Sequence, residues 1–368
     1  MRVVALIASI GAAALLAACG GADRPEFVEA YGLRVETARL GSTLRLFNWA
    51  DYMDPELLRE FESTYGVRVV VDYYDTNEAM IAKLETGGAG QYDVIVASDY
   101  AVETLLNAGM LEPLDHENIP NLVNLEPRFR DLPFDPDNRH SVAYQWGTSG
   151  LGIRTDRIDA EDDEVLDSWR LVFDPEAQPG PIAMMSDGRE VIAAALFYLG
   201  YSANTTDPAE LRAAEELLIA QRPRVLTYSP FATGRDLLAS GDVVVAHNFS
   251  GDILMARDEV EAIRFVIPRE GAIIWTDNLA VPAGARAKYA AEVFINFLLD
   301  AEVGGRLSNF TRYASPNAAA KAFIDEELLN DSAVYPDEET AGRLELLRDL
   351  GPDRALYEDI WTRVRSGN

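Results

Sequence analysis

Three turns of the chain combine carboxylates with aromatic rings, and each turn follows a short apolar run typical of a buried strand. Carboxylates form charge-assisted hydrogen bonds with ammonium groups, and a ring face close to a cation adds roughly 0.5–2 kcal/mol of attraction. These turns therefore suit an extended aliphatic cation. Their polar and aromatic members are Trp49, Asp51, Tyr52, Ser98, Asp99, Tyr100, Phe249 and Asp252.

Two further stretches and one loop carry the same residue types. Asp187 and Glu190 stand three positions apart at an expected helix start, which would place both carboxylates on one face. Trp275 and Asp277 lie within an apolar run, and Tyr313 stands in a loop. An unpaired buried Asp costs several kcal/mol, so Asp277 needs a cationic or hydrogen-bond-donating partner.

A structural interpretation competes with each of these sites. Trp49 and Tyr52 are also what a lid over the apolar core would contain. Asp187 is also a good N-cap, which would leave Glu190 on the surface. The recurrence of acid and ring at several strand ends favours the binding interpretation for the first pair.

From Leu44 onward the chain alternates predicted strands and helices, which indicates an α/β fold. In such folds ligands sit at the carboxyl ends of the strands. Ser98 stands at the predicted N-cap of the helix that follows strand 92–96. The C-terminal helices are predicted at 339–350 and 354–365. The predicted crossings between two lobes are 146–151, 270–277 and 318–323.

Composition limits the classes of ligand. The 368 residues contain 61 Asp and Glu against 32 Lys and Arg, a formal net charge of -29. This balance argues against nucleic acid, whose binders need basic faces. It allows a cationic ligand, since a cleft walled by carboxylates concentrates cations, although acidity also serves solubility alone.

The N-terminus has the features of a targeting segment. A basic start is followed by an apolar run that is too short to span a bilayer. The run ends Leu-Ala-Ala-Cys at Cys19, which resembles a bacterial lipobox, and this is the single cysteine of the chain. We expect residues 1–18 to be a signal peptide, Cys19 to carry a lipid, and residues 19–41 to form a tether. The alternative is an ordinary cleaved signal peptide.

Several motifs together resemble the spermidine/putrescine-binding proteins of bacterial ABC importers. The resemblance runs from about Leu44 to the C-terminus. It implies a two-lobed periplasmic binding protein fold (type II), with the ligand cleft between lobes joined by hinge strands. Lobe 1 would be 42–147 plus 275–321, and lobe 2 would be 148–274 plus 322–368. The motifs are FNWADY (47–52), YDVIVASDY (92–100), WGTSGLG (146–152), DGRE (187–190), GYSANTTDP (200–208), IWTDNLAVP (274–282) and YASPN (313–317).

The family also implies a function and roles for residues. A polyamine would be captured outside the cytoplasm and passed to a membrane permease driven by a separate ATPase. Asp187 and Glu190 would meet one amine and Asp277 another. The remaining contacts that the resemblance implies, as walls or lining groups, are Trp49, Tyr52, Ser98, Tyr100, Trp275 and Tyr313.

The chain departs from the family pattern at several positions. Ala50 replaces a frequent hydroxyl residue, Phe249 replaces a Trp wall, and Leu347 falls where a Gln contact is expected. Asp252 matches an acid of putrescine-type members. These differences leave the choice among putrescine, spermidine and a related amine open.

Three other functions are alternatives to polyamine delivery. Paired carboxylates also serve glycosidases, but the sequence has no Gly-x-Ser-x-Gly elbow, His-Glu-x-x-His zinc motif or phosphate-binding glycine loop. Another solute is the second alternative, although an anion would need basic residues in the cleft. A polyamine sensor is the third. We therefore expect a monomeric, non-enzymatic binding protein with no cofactor and no metal.

Overall fold

The computed structural model describes residues 25–158 and 166–367. The expected signal peptide, the lipidation site Cys19 and the first residues of the predicted tether lie outside these ranges. Within them, no helix combines the length and apolarity needed to cross a membrane.

The described residues form strands and helices that alternate along most of the chain. The strands are β1 (Phe27–Ala30), β2 (Leu33–Glu36), β3 (Thr43–Trp49), β4 (Arg68–Tyr74), β5 (Val94–Ser98), β6 (Ser141–Arg154), β7 (Ile182–Met185), β8 (Val225–Ser229), β9 (Val245–Phe249), β10 (Ile263–Val266), β11 (Ala272–Ala280) and β12 (Leu344–Glu345). The α-helices are Pro55–Tyr65, Asn77–Lys83, Asp99–Asn107, Arg170–Phe173, Gly188–Tyr198, Pro208–Gln221, Phe231–Ser240, Ser250–Glu259, Lys288–Leu298, Ala301–Thr311, Glu326–Leu329, Glu338–Ala341 and Arg354–Ser366.

Strand β6 runs through both lobes. Its first half pairs antiparallel with β11, and its second half pairs with β9 and β10. The strand order is β4-β3-β5-β11-β6-β9-β7-β8. We call the part built on β3, β4 and β5 lobe 1, and the part built on β7, β8, β9 and β10 lobe 2. The sequence predicts separate strands at 141–146 and 151–154, but the structure has one continuous strand there.

Parallel pairing brings the strand ends of each lobe to one edge. β3 pairs parallel with β4 and β5 in lobe 1, and β7 pairs parallel with β8 and β9 in lobe 2. The apolar residues of these strands are buried, including Leu44, Leu46, Val94, Ile182 and Val245. The turns that follow β3, β5, β7 and β9 therefore face one another across the gap between the lobes.

The predicted tether is wrong for residues 25–41. This segment forms the β1–β2 hairpin, in which Val35 is fully buried, and Leu40 is fully buried just after it. Tyr31 packs edge-on against Phe297, with ring centroids 4.8 Å apart. Each strand has only four residues, so the sequence gives at best a weak strand signal, around 33–35.

The predicted lobe boundary at residue 321 comes too early. Asn309 Oδ1 accepts a hydrogen bond of 2.9 Å from the Asp325 amide, and Tyr335 packs against Trp146 of lobe 1. Residues 322–335 thus belong with lobe 1. The chain crosses afterwards, and β12 then pairs with the start of β11. The predicted helix at 339–350 is reduced to Glu338–Ala341, and the other lobe bounds remain a proposal.

We expect Gly150→Ala to destabilise the fold, because a Cβ at this position would overlap the Val266 carbonyl oxygen and the Phe265 ring. Overpacking of this kind costs about 1–3 kcal/mol. Gly90→Ala is the matched control, since its new Cβ meets only the Gly284 carbonyl oxygen, 3.5 Å away. Denaturant titration measures both. Equal stability of the two variants would show that β6 does not pack as described.

Candidate functional site

The two lobes are closed around one cleft with about 700 Å³ of empty space, lined by nineteen residues. All thirteen residues that the sequence predicted for the site line it. Six more residues complete the lining. Ala50 and Leu347 are departures from the family pattern noted in the sequence, and the four that the sequence did not mark are Asn77, Phe231, Met255 and Ile273. No Lys, Arg or His is among the nineteen, whereas six are Asp or Glu.

Asp277 is held in place by hydroxyl groups. It lies opposite Ser98 in the β11–β5 register, and Ser98 Oγ donates a 2.6 Å hydrogen bond to Asp277 Oδ1. Asn77 supports Ser98 by donating from Nδ2 to its hydroxyl oxygen at 3.1 Å. Burial raises the pKa of Asp277 to about 7, while the hydroxyls of Ser98 and Tyr52 lower it. The buried carboxyl has no cationic partner among the described residues.

The predicted cap at Ser98 is wrong in its chemistry. Ser98 occupies the N-cap position of helix Asp99–Asn107, but its side chain makes no capping hydrogen bond. Its hydroxyl donates to Asp277 across the sheet instead.

Both carboxylate oxygens of Asp99 accept hydrogen bonds from the protein. Its Oδ2 accepts a 2.9 Å hydrogen bond from the Thr276 amide, and its Oδ1 accepts one of 3.3 Å from Asn278 Nδ2. Burial raises the pKa of Asp99 to about 7, and the bond from Thr276 lowers it. Asp99 therefore ties the start of its helix to β11 beside the cleft.

Asp187 caps its helix, as the structural interpretation expected, and Glu190 faces the cleft, as the binding interpretation expected. Asp187 does cap its helix, because its Oδ1 accepts from the amides of Arg189 and Glu190. Glu190 is not on the surface: its side chain is buried, and Oε2 has no hydrogen-bond partner among the described residues. Burial, and then the charge of Asp187, raises the pKa of Glu190 to about 8.

His247 does not neutralise the charge of the Glu190 carboxylate. The two side chains approach to 3.9 Å, but burial lowers the pKa of His247 to about 3, so its ring is neutral near pH 7. Arg189 lowers the pKa of Glu190 through its charge but forms no salt bridge with it, and its guanidinium lies 4.7 Å from the centre of the Tyr357 ring. The carboxyl of Glu190 thus faces the cleft without an ion pair from its neighbours.

A second acidic position lies where lobe 2 meets the turn after β3. Tyr313 donates a 2.6 Å hydrogen bond to Asp252 Oδ2, and Arg235 Nη1 lies 3.6 Å from Asp252 Oδ1. Burial raises the pKa of Asp252 to about 6, while Tyr313 and Arg235 lower it. Arg235 also pairs with Asp51, and no motif in the sequence places this arginine near the site.

Aromatic rings form a continuous wall. Neighbouring ring centroids are 6.2 Å apart for Trp49 and Phe231, 5.5 Å for Phe249 and Trp275, and 5.2 Å for Trp275 and Tyr313. Trp49 and Trp275 are buried, and their indole N–H groups have no partner among the described residues. These rings are walls of the cleft as well as part of the core.

Glu78 is an acid that sequence reasoning missed. Tyr100 donates a 3.0 Å hydrogen bond to its Oε1, and burial and the charge of Asp187 raise its pKa to about 7. Glu78 lies one position after Asn77 at the start of a short helix, and no motif marks it. Across residues 25–158 and 166–367, no group of three or more His, Cys, Asp or Glu side chains is arranged to hold a metal ion.

Known proteins share both this sequence and this architecture. The spermidine/putrescine-binding periplasmic protein of Salmonella typhimurium is 36% identical over 338 residues, which cover 92% of this chain and 96% of that protein. The putrescine-binding periplasmic protein of Pseudomonas aeruginosa is 37% identical over 344 residues, covering 88% of this chain and 92% of that protein.

A solved structure described as a putative spermidine/putrescine ABC transporter from Listeria monocytogenes superposes with a TM-score of 0.84 at 35% identity, covering 89% of this chain and all of that chain. These matches confirm the expected two-lobed periplasmic binding protein fold. The family model for the bacterial extracellular solute-binding protein matches residues 56–336. The chain belongs to this family of solute-binding proteins.

Proposed function

We propose that this protein captures an aliphatic polyamine, putrescine or spermidine, in the cleft between its lobes and delivers it to an ABC permease. One observation carries the proposal: Glu190 and Asp277 are buried beside a wall of aromatic rings, without a cationic partner among the described residues. An ammonium group would supply the missing charge to each. The methylene chain between two amines would lie against the rings.

The relatives support this chemistry. The proteins that match over nearly the whole chain have names that specify spermidine, putrescine or cadaverine. Their names also describe binding proteins, which supports a role in capture and delivery without chemical conversion. The thirteen predicted residues are our assignment of the binding site, with Asp99 acting mainly by positioning the groups around it.

We further propose that the protein works outside the cytoplasm as a lipid-anchored monomer. The lipobox-like sequence that ends at Cys19 and the periplasmic relatives support this location. Cys19→Ser should move the protein from the membrane fraction to the soluble fraction of producing cells. Retention of the variant in the membrane would contradict lipidation at Cys19.

Asp277→Asn should remove most of the affinity for the polyamine. Taking away one partner of a desolvated charge pair costs roughly 2–5 kcal/mol. Isothermal titration of the chain from residue 19, with Cys19→Ser, against putrescine, spermidine and alanine measures this. The matched control is Glu327→Gln, which neutralises an exposed acid far from the cleft.

The wild-type protein should bind at least one amine and ignore alanine. Full affinity in Asp277→Asn would overturn the site assignment. Silence of the wild type toward both amines would overturn the proposed function.

Binding should strengthen as the pH rises from 6 to 8. The pKa values of Asp277 and Glu190 are raised to about 7 and about 8, so in the empty cleft both carboxyls are partly protonated in this range. Aliphatic amines, which resemble Lys with a pKa of about 10, stay charged. The ligand therefore displaces protons, and titration in buffers of different ionisation enthalpy counts them.

The same shifts affect stability in the opposite sense. Between the unfolded pKa of each carboxyl and its raised folded value, the folded protein holds more protons, so its stability falls as the pH rises from about 4 to about 8. Glu190→Gln should show a shallower fall and release fewer protons. Identical proton release by this variant and the wild type would show that Glu190 does not titrate on binding.

A further inference from the structure

For three of the six acids that line the cleft, the protein itself either occupies both carboxylate oxygens or supplies an ion pair. Both oxygens of Asp99 accept hydrogen bonds from β11. Both oxygens of Asp252 are taken as well, one by the Tyr313 hydroxyl and the other by the guanidinium of Arg235. The third is Asp51, whose Oδ2 lies 3.2 Å from Nη2 of Arg235.

The other three acids form two anionic positions. Asp187 and Glu190 share the start of one helix in lobe 2, and the charge of Asp187 opposes ionisation of Glu190. They therefore act together as one position for a cation. Asp277 on β11 is the second position, and its partners are neutral hydroxyls. None of these three acids forms a salt bridge to Arg or Lys within the described residues.

Arg235 forms ion pairs with acids of both lobes. It lies on helix Phe231–Ser240 of lobe 2, and its side chain is 18% exposed. Asp51 comes from the turn after β3 in lobe 1, where its φ of 53° is a left-handed conformation that Asp tolerates. Asp252 lies in lobe 2, so the guanidinium bridges the lobes beside the cleft.

We propose that Arg235 determines specificity by limiting the cleft to two ammonium groups, so that the protein prefers a diamine to a triamine. The inference rests on the proposed polyamine function. Apart from these two positions, the acids that line the cleft are already engaged by hydrogen bonds or by Arg235. Near Asp252 or Asp51 a third ammonium would have to compete with the guanidinium, which already contacts both carboxylates, and the positive charge of Arg235 would repel it.

The test compares putrescine with spermidine on wild type and on R235Q, R235M and R235K. Wild type should bind putrescine at least about tenfold more tightly than spermidine, because one unfavourable charge contact is of that size or larger. Removing the charge in R235Q or R235M frees Asp51 and Asp252, so the ratio of the two dissociation constants should shift toward spermidine by about tenfold. R235K keeps the charge and should keep the preference.

Arg170→Gln is the matched control, since Arg170 pairs with Asp174 outside the cleft. Circular dichroism identifies variants that fail to fold. Because R235Q and R235M both remove the charge, either one can test the proposal if the other does not fold. A ratio unchanged within about twofold in a folded charge-removing variant overturns the role of Arg235. A wild-type preference for spermidine overturns it too. If the wild type binds neither amine, the proposed function fails and this inference fails with it. That result differs from failure of the inference alone, in which the wild type still binds an amine.

Discussion

Burial of carboxyl groups is the constraint on which this molecule depends. Glu190 is 6% exposed and Asp277 is 5% exposed, and both lie where ionisation without a partner is unfavourable. The neighbouring groups orient the two acids without neutralising them: Ser98 donates a hydroxyl proton, and His247 stays uncharged. The rings around them exclude water that would otherwise solvate the charges. The empty cleft can relieve this cost by holding protons, and a dication relieves it without protonation.

Ser98 shows how such a site differs from an ordinary helix start. A serine in this position normally caps the helix, a contribution of about 1 kcal/mol. Here the hydroxyl serves Asp277, while Asp99 in the next position ties the helix to β11 through the Thr276 amide. The helix end is thus fixed by a neighbouring strand, and the serine is left to act on the cleft.

The binding turns could be predicted from the sequence because their signals are local. Each is an apolar run followed by an acid and a ring, and parallel pairing then brings the strand ends together. What failed depended on contacts distant in sequence. Arg235 lies on an unremarkable amphipathic helix, and only the closed lobes place it beside Asp51. The same holds for the boundary after Tyr335, which Trp146 sets from nearly two hundred residues away.

The division of the acids between the lobes links binding to closure. Asp277 belongs to lobe 1 through its register with Ser98 on β5, whereas Glu190 belongs to lobe 2. A ligand with one ammonium can neutralise only one of these acids. It therefore provides no electrostatic stabilisation of the closed conformation. A ligand with two separated ammoniums relieves both buried charges only when the lobes are closed, and a ligand shifts an equilibrium by its differential affinity for the two states. The spacing between the two acids therefore selects for the distance between the ligand's ammonium groups. The same pair of contacts stabilises the closed conformation.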